Sequence, residues 1–408
     1  MDVFPRISNT FILNQIAGLL DRGHDVNIFA RSAGDFNHTH ELVRQYRMEE
    51  RMRHLRIPNN PADRLITAAS HFARPYAWRP GILDAFNLRR HGCSALNMAQ
   101  LYTALSFLRQ PDYDIVHAQF GNLGPSLLRL SRGGKSKAPL VVSFRGADLS
   151  SVIKRNPHAY DELLRSGDLF LPVSDFFKRR LEELGAPPER VEVLRSGIDT
   201  DRFPFRQRSR NPGEPTRVIF LGRLTEKKGI LSAIEAVARA IAAGRELELT
   251  IVGEGELESK ARRQAAEAGI ASRVHWAGPQ PAAAVASHLA ESHLLVAPCV
   301  TASNGDQEGV PNVLKEAMAS GLPVLSTIHS GVPELVDDGI SGYLVAEHDS
   351  SALYQRLLDL VDHPELWPAM GRAGRAKVEK EYDSRALNER LVMLYRRARE
   401  TKSVRSVQ

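Results

Sequence analysis

The feature that most constrains the fold is an alternation of short apolar runs with helical stretches in the second half of the chain. Each run ends in a loop of glycine, proline or polar residues, and the helix after the first run spaces Leu231, Ile234 and Val237 as one face. The four runs lie at residues 216–221, 247–252, 294–297 and 323–327. Strands that alternate with helices form a parallel sheet with right-handed crossovers. The predicted fold class is therefore α/β, with a doubly wound parallel sheet.

The first half of the chain repeats this pattern less clearly. A helix at residues 11–20 precedes candidate strands at residues 25–30, 113–117, 140–144, 169–173 and 191–194. A parallel-sheet domain of this kind normally opens with a buried strand, and ahead of the helix only Met1 to Phe4 are candidates for one. We interpret residues 1–4 either as a shortened first strand or as a sign that the natural start lies upstream.

The length of the chain predicts two domains, because 408 residues are too many for one compact core. The best candidate linker is the basic segment 206–215, which is interrupted by proline and glycine. We therefore expect an N-terminal domain at residues 1–205 and a C-terminal domain at residues 216–380. A helix and polar tail at residues 381–408 are expected to return toward the N-terminal domain.

The composition is that of a globular protein, with 43% hydrophobic and 25% charged residues. No apolar stretch is long enough to span a bilayer, and the helix at residues 11–20 lacks the basic leader of a signal peptide. Cys93 and Cys299 have neither metal-site spacing nor a disulfide framework. These features predict a protein of the reducing cytoplasm.

The formal net charge of +6 is unevenly distributed along the chain. Residues 1–195 carry 27 Lys and Arg against 20 Asp and Glu, which favours an anionic partner such as a phosphate-bearing substrate or a membrane surface. Nucleic acid is not expected, because no recognised binding motif accompanies the charge. Residues 71–90, with aromatic residues among arginines, could lie on an anionic membrane or form an ordinary helical insertion.

Two glutamates separated by seven residues mark the strongest candidate site. Glu308 lies in a loop ahead of a predicted helix that opens near Pro311, and Glu316 lies inside that helix, before Gly321. Carboxylates accept hydrogen bonds from sugar hydroxyls, and the free N–H groups of a helix N-terminus attract phosphate. Parallel sheets bind ligands at the carboxyl ends of their strands, where this loop falls together with Arg223 and Gly253. Two unrelated surface glutamates are the alternative.

Several motifs occur together in the order and spacing of one family. They lie at residues 9–16, 21–25, 114–121, 196–203, 222–229, 308–316 and 330–336. From Ser8 onward the chain resembles the GT-B-fold retaining glycosyltransferases of family 4, and most closely the exopolysaccharide enzymes of the colanic-acid or amylovoran type. The resemblance implies two Rossmann-like domains facing a central cleft. It also implies transfer of a hexose from a nucleotide diphosphate sugar to a saccharide acceptor, of lipid-linked type, with no metal or other cofactor.

The resemblance also assigns roles on the donor side. It gives Arg223 and Lys228 the diphosphate, where fixed cations stabilise charge that develops on the leaving group. It gives Glu308 the hydroxyls of the transferred sugar and Glu316 those of the ribose. The other donor-binding candidates are Gly222, Gly253, Glu254, Gly309, Val310 and Asn312. We expect the pocket for the base near Gly278.

The acceptor side departs from the family at Arg145. Many relatives have His-Gly-x-Asp where this chain has Arg145-Gly146-Ala147-Asp148. Arginine stays protonated and cannot serve as a base, but it can donate hydrogen bonds to a sugar or a phosphate. We therefore group Arg145 with Glu308, Arg223 and Lys228 as catalytic candidates. The possible acceptor-side residues are Asn9, Thr10, His117 and Asp148, with a packed histidine as the alternative for His117.

Two other functions remain open within the same fold. One is a degenerate protein that binds a sugar nucleotide without transferring it, and the other is a nucleotide-sugar epimerase. No metal site is predicted, although the spacing of His38 and His40 is similar to that of metal ligands. We expect a cytoplasmic protein that can attach peripherally to the inner face of the plasma membrane.

Overall fold

A computed structural model describes residues 1, 3–5, 10–30, 32–36, 40–54, 60–72, 98, 101–102, 113–133 and 138–405. Asn9, His38, Cys93 and residues 73–90, on which some of the predictions above fall, lie outside the described residues.

Short parallel strands of the N-terminal domain pair in three separate groups within its described residues. In its described part they are β1 (Val3–Phe4), β2 (Ile28–Ala30), β3 (Ser32–Ala33), β4 (Met52–His54), β5 (Val116–Ala118), β6 (Leu140–Phe144) and β7 (Leu169–Pro172). β1 pairs with β3, β2 pairs with β4, and β6 lies between β5 and β7. β6 is buried along its whole length, as a continuous apolar run in a parallel sheet predicts.

Helices flank these strands. They are α1 (Thr10–Asp21), α2 (Glu41–Gln45), α3 (Pro61–Phe72), α4 (Gly124–Gly133), α5 (Ser151–Arg155), α6 (Asp161–Ser166) and α7 (Asp175–Glu183). α1 buries Ile12, Leu13 and Ile16, whose spacing of three and four residues forms one apolar face. α7 begins where the Ser174 hydroxyl accepts a hydrogen bond from the Phe177 amide.

The C-terminal domain is a six-stranded parallel sheet in the order β10-β9-β8-β11-β12-β13, within residues that are all described. Its strands are β8 (Thr216–Leu221), β9 (Leu247–Val252), β10 (Val274–Gly278), β11 (Leu294–Ala297), β12 (Val324–Thr327) and β13 (Gly342–Val345). Its helices are α8 (Ile230–Ala242), α9 (Glu258–Glu267), α10 (Ala282–Glu291), α11 (Asn312–Ala319), α12 (Val332–Leu335), α13 (Ser350–Asp362) and α14 (Trp367–Glu381). The strand order reverses between β8 and β11, so the loops after these two strands face each other across a switch point.

The last helix, α15 (Ser384–Arg405), leaves the C-terminal domain and packs on the N-terminal one. Where the chain crosses, the Ile198 amide donates to the Tyr382 carbonyl and the Ser384 amide donates to the Ile198 carbonyl. An apolar cluster then joins α15 to α1, β6 and β7; it contains Leu19, Val141, Leu169, Leu171, Leu194, Leu391, Val392, Leu394 and Ala398.

The segment 206–215 is attached to the C-terminal domain. Arg208 is buried, and its guanidinium donates to the carbonyl oxygens of Ala290 and Ser320 at 2.7 Å each. The Arg206 amide also donates to the Ser320 carbonyl, at 3.1 Å. The connection between the two domains is thus held at the end of α11, and Arg208 is not a solvated surface arginine.

The predicted α/β class with two sheet-based domains is confirmed, and the strands at residues 140–144, 216–221, 247–252 and 294–297 have the predicted bounds. The prediction of a strand at residues 191–194 is wrong. A single parallel bridge joins Val191 to Phe170. The amides of Glu192 and Leu194 still donate to the carbonyl oxygens of Phe170 and Pro172 in β7, but the segment forms no regular strand. The sequence prediction also missed β10 and β13.

Candidate active site

Glycines bring the loops after β8, β9 and β10 into close contact. The Gly253 amide donates to the Gly278 carbonyl at 2.8 Å, and Gly253 has φ = +132°. A Cβ atom on Gly253 would overlap the carbonyl oxygen of Gly222. The loops therefore present backbone and not side chains at this edge of the sheet, which is where a flat ligand could approach.

A cluster of two lysines and two carboxylates joins the loops after β8 and β11. The Lys227 ammonium lies 2.9 Å from Asp306 Oδ2 and 3.1 Å from Glu308 Oε1. The Lys228 ammonium lies 3.1 Å from Glu308 Oε2. Each oxygen of the Glu308 carboxylate thus faces a different lysine. The site candidates Glu308 and Lys228 are brought together, and Lys227 is a member that sequence reasoning missed.

The lysines determine the charge of the Glu308 carboxyl. Burial alone would raise its pKa, but the ammonium groups of Lys228 and Lys227 lower the pKa to about 2. In return, the pKa of Lys227, which burial would lower, is raised by Glu308 and Asp306. At neutral pH Glu308 and Lys227 are therefore both ionised.

The backbone of Glu308 is held by the turn after β12. Its amide donates to His329 Nε2 at 3.0 Å. The Ser330 hydroxyl donates to the carbonyl oxygen of Glu308 at 2.6 Å and to that of Gly309 at 3.0 Å. Ser330 adopts φ = +50°, which is uncommon for a residue with a Cβ atom. Both the amide and the carbonyl group of Glu308 are thus hydrogen-bonded to side chains of this turn.

Glu316 lies on α11, the helix that Pro311 precedes in an extended conformation. Its side chain is partly exposed, and burial raises the pKa of the carboxyl above its usual value. No described residue donates a hydrogen bond to this carboxylate or forms a salt bridge with it. Two acceptor oxygens therefore remain available for a ligand beside the Glu308 cluster.

Lys315, next to Glu316, is completely buried and was missed by sequence reasoning. Its ammonium donates to the Ser196 carbonyl at 2.7 Å and to Asn312 Oδ1 at 2.8 Å. Burial lowers its pKa to about 7. The candidate Asn312 therefore uses its side-chain oxygen to hold a lysine that ties α11 to the crossing between the domains.

Two donor-side candidates lie at the exposed rim of the site. Arg223 follows β8 and Glu254 follows β9, and both side chains are exposed. Within the described residues neither forms a salt bridge. Both are free to turn toward a ligand between the loops.

The Glu308 loop also contacts the N-terminal domain. A Cβ atom on Gly309 would lie 2.5 Å from the Arg145 carbonyl oxygen and 2.8 Å from Val173 Cγ2. The Gln307 amide donates to the Ser150 hydroxyl at 3.1 Å. Only a glycine at position 309 lets the loop come this close to Arg145 and Val173. The buried Val310 follows it in the chain. Both lie where the two domains meet.

Arg145 is held on the N-terminal side of this contact. Its Nε donates to the Gln119 carbonyl at 3.0 Å, and its other nitrogens donate to Gln119 Oε1 at 2.8 Å and to the Ser196 hydroxyl at 2.9 Å. The guanidinium lies over the Phe11 ring, 4.5 Å from its centroid. Burial lowers the pKa of Arg145 to about 10, so the side chain remains charged at neutral pH.

The side chains of Asp148 and His117 are engaged within the protein. Asp148 accepts hydrogen bonds from the amides of Gly121, Arg145 and Gly146, while burial raises its pKa. His117 contacts the Tyr395 hydroxyl at 2.6 Å and the Ser143 hydroxyl at 2.8 Å. Burial, and then Arg145, lower the pKa of His117 to about 3, so its ring is neutral.

Asp148 therefore supports the Arg145 loop, and His117 joins β5 to α15. Thr10, another acceptor-side candidate, is the first residue of α1 and is partly exposed. The assignment of these residues to an acceptor site stays a prediction.

Two negative findings apply to the described part of the chain. No group of three His, Cys, Asp or Glu side chains is arranged there to hold a metal ion. Nor does any helix in these ranges combine the length and the apolar character needed to cross a membrane.

Comparison with known proteins identifies the class. The family model described as Glycosyltransferase Family 4 matches residues 8–202, and the one described as Glycosyl transferases group 1 matches residues 201–377. The chain therefore belongs to the family 4 (group 1) glycosyltransferases, as the motifs predict.

Two curated relatives match nearly the whole chain. The putative colanic acid biosynthesis glycosyltransferase WcaL of Salmonella typhimurium is 36% identical over 398 residues, covering 96% of this chain and 97% of the relative. The amylovoran biosynthesis glycosyltransferase AmsK of Erwinia amylovora is 33% identical, covering 93% of this chain and 94% of the relative.

The fold is similar to that of HepE from Anabaena, solved in complex with UDP-glucose. The TM-score is 0.67 at 16% identity, and the alignment covers 96% of each chain. This likeness concerns the fold alone, and it confirms the predicted GT-B architecture.

Proposed function

We propose that this protein is a retaining hexosyltransferase that uses a nucleotide diphosphate sugar and acts in the synthesis of an exopolysaccharide or another cell-surface polysaccharide. The names of the relatives WcaL and AmsK support the class of product. The complex of HepE with UDP-glucose supports the class of donor. A lipid-linked saccharide at the inner face of the plasma membrane is the proposed acceptor. The excess of Lys and Arg over Asp and Glu in residues 1–195 supports an anionic partner of this kind.

One observation carries the proposal: the Glu308 carboxylate lies between Lys227 and Lys228, beside the carboxylate of Glu316, to which no residue in the described part of the chain donates a hydrogen bond. The carboxylate of Glu316 offers acceptors for the two ribose hydroxyls, and that of Glu308 offers acceptors for the transferred sugar. Lys228, released from Glu308 by a bound donor, and the exposed Arg223 offer positive charge to the diphosphate. All of these groups lie at the carboxyl ends of the strands, next to the switch point.

The proposed reaction breaks the bond between the anomeric carbon and the diphosphate oxygen, and forms a bond from the same face to an acceptor hydroxyl oxygen. The hydroxyl proton passes to the departing phosphate. Negative charge grows on the diphosphate as the bond breaks, so Lys228 and Arg223 stabilise the transition state more than the bound donor. We propose that these cations replace a divalent metal, and that Arg145 need not act as a base.

A panel of UDP- and GDP-sugars tests the function through two measurements, thermal protection of the protein and release of the nucleotide. We expect one donor to protect the wild type and to be hydrolysed slowly without acceptor, at a rate that EDTA leaves unchanged. Glu316→Ala should abolish the protection, whereas Glu365→Ala, which alters an exposed carboxylate outside the site, should retain it.

The outcomes distinguish a transferase from a protein that only binds the donor. Protection by a donor that is neither hydrolysed nor transferred would indicate a binding protein without transferase activity. If no donor protects the wild type and none is hydrolysed, the proposed function is wrong. A rate that falls with EDTA and recovers with Mg²⁺ would refute metal independence alone.

A further inference from the structure

His329 is a completely buried histidine in the turn between β12 and α12. Its Nε2 atom lies 3.0 Å from the Glu308 amide nitrogen. Its Nδ1 atom lies 2.6 Å from Oε1 of Glu347, a residue just beyond β13. Neither His329 nor Glu347 belongs to the motifs that identify the donor site. The two ring nitrogens of His329 nevertheless connect the Glu308 backbone to the Glu347 carboxylate.

The direction of these hydrogen bonds follows from the groups themselves. A backbone amide can only donate, so His329 Nε2 must accept and carries no proton. The proton of the neutral ring then lies on Nδ1 and is donated to the Glu347 carboxylate. Glu347 therefore fixes both the tautomer and the orientation of the ring that holds Glu308.

Glu347 also holds the other end of the same loop. Its Oε2 atom accepts from the Thr301 amide at 2.7 Å, and its Oε1 atom accepts from the Thr301 hydroxyl at 3.3 Å. Gln307 Nε2 in turn donates to that hydroxyl at 3.0 Å. Burial would raise the pKa of Glu347, but the Thr301 amide and His329 lower it, so the carboxylate is ionised. One carboxylate thus ties the start of the loop 301–308 to its end.

We propose that His329 and Glu347 are positioning residues that hold the loop 301–308 so that the Glu308 carboxylate faces the donor sugar. The completely buried His329 side chain is out of reach of a substrate. The two residues act through the Glu308 backbone, while Lys227 holds the carboxylate at the other end of the residue. The inference rests on the proposed function of Glu308 in sugar transfer. The hydrogen bonds of His329 to Glu308 and Glu347, however, are present without a ligand.

The first test measures amide hydrogen exchange in the ligand-free, full-length protein. In Glu347→Ala we expect the Glu308 amide to exchange about tenfold faster, because the unsupported ring no longer offers a fixed acceptor. Glu347→Gln keeps an oxygen opposite Nδ1 and should exchange like the wild type. Glu365→Ala is the matched control, since it removes another glutamate bonded to a histidine, the exposed His363, at 2.9 Å.

The second test measures kinetics with the nucleotide sugar that the wild type hydrolyses fastest. Glu347→Ala and His329→Leu should each lower kcat about tenfold to a hundredfold, the effect of a misplaced catalytic group, with the donor KM within about twofold. The double variant should lose no more than either single variant, because the two residues act as one unit. Glu347→Gln should recover most of kcat, and binding of free UDP or GDP should not change.

If the Glu308 amide of Glu347→Ala exchanges at the wild-type rate, the inference is wrong, whatever the activity of the variant. It is also wrong if Glu347→Gln and Glu347→Ala lose kcat equally. If His329→Leu does not fold, the two Glu347 variants still decide. A protein that hydrolyses no donor would refute the proposed function, and the exchange measurement would then decide the positioning contact by itself.

Discussion

At the scale of single residues, the central feature is a carboxylate whose charge is maintained by its neighbours. Glu308 is largely buried, which by itself favours the neutral form, and Lys228 and Lys227 reverse this and lower its pKa to about 2. An ionised carboxylate is a strong acceptor for sugar hydroxyls and cannot protonate the leaving group at neutral pH. The cluster is therefore suited to binding and orienting a sugar rather than to acid catalysis.

We expect Glu308→Gln to change how stability depends on pH. The folded carboxyl has a pKa of about 2, against an ordinary value of 4.5, so its ion pairs stabilise the folded protein fully above pH 4.5. This contribution is lost as the pH falls from 4.5 toward 2. The variant should be less stable than the wild type by about 1–3 kcal/mol at pH 7, with a smaller difference at pH 3. Urea denaturation at both pH values measures this; a difference that does not shrink on acidification would contradict it.

The sequence predicted the residue types of this site but not its ion pairs. Glu308 and Glu316 could be found because their loop and helix follow a strand end, and Lys228 because the motif at residues 222–229 resembles that of the family. Lys227 and Asp306 could not, since they are about eighty residues apart and meet only where the loops after β8 and β11 face each other. The hydrogen bonds of the Arg145 guanidinium could not be predicted either, because its partners Gln119 and Ser196 come from two other segments of the chain.

At the scale of elements, the loop between β11 and α11 joins the two domains through a glycine. Gly309→Ala would place a methyl group 2.5 Å from the Arg145 carbonyl oxygen, and a backbone atom cannot move aside as a flexible side chain can. We expect a loss of about 1–3 kcal/mol in the free energy of unfolding, measured by urea denaturation, and a lower kcat.

Gly374→Ala on α14 is the control for that substitution. Its new methyl group would meet only the Met318 side chain, at 3.3 Å or more, and alanine favours a helix. Similar losses in the two variants would show that the Arg145 contact does not matter.

The strands that the sequence predicted best lie in the interior of their sheets. β6 and β11 are continuous apolar runs, β8 and β9 are mostly apolar, and the bounds of all four match the structure. β10 and β13 were missed because they are the two edges of the sheet, where partly exposed residues interrupt the apolar pattern. An edge strand is defined by its pairing with the neighbouring strand, and this pairing cannot be read from the sequence.

At the scale of the whole molecule, a second contact between the domains lies at the N-terminus of α7. The Glu334 carboxylate, on α12, accepts hydrogen bonds from the amides of Asp175 and Phe176 at 2.8 Å each. Arg195 lies 3.4 Å from Glu334 and 3.2 Å from Asp175. A carboxylate at a helix N-terminus is stabilised by the unpaired amides and by the helix dipole. This contact favours the arrangement in which the two sheets face each other.

We expect Glu334→Ala to open the molecule, because the α7 amides then bond to water rather than to α12. Small-angle scattering should show a larger radius of gyration for the variant without ligand. The control is Asp362→Ala, which breaks a paired carboxylate within the C-terminal domain, bound to Arg245 at 2.7 and 3.1 Å. If Glu334→Ala scatters like the wild type and Asp362→Ala, the contact does not hold the domains together.

The return of α15 to the N-terminal domain has a consequence for synthesis of the chain. Val141 in β6, Leu171 in β7 and Leu194 form part of an apolar surface that Leu391 and Leu394 of α15 complete. On the ribosome, the first domain emerges with this surface uncovered. At about 5–20 residues per second, the roughly 200 residues between Leu194 and Leu391 take about 10–40 s to make. During that interval the nascent chain exposes a patch that a chaperone must shield or that a neighbouring nascent chain can bind.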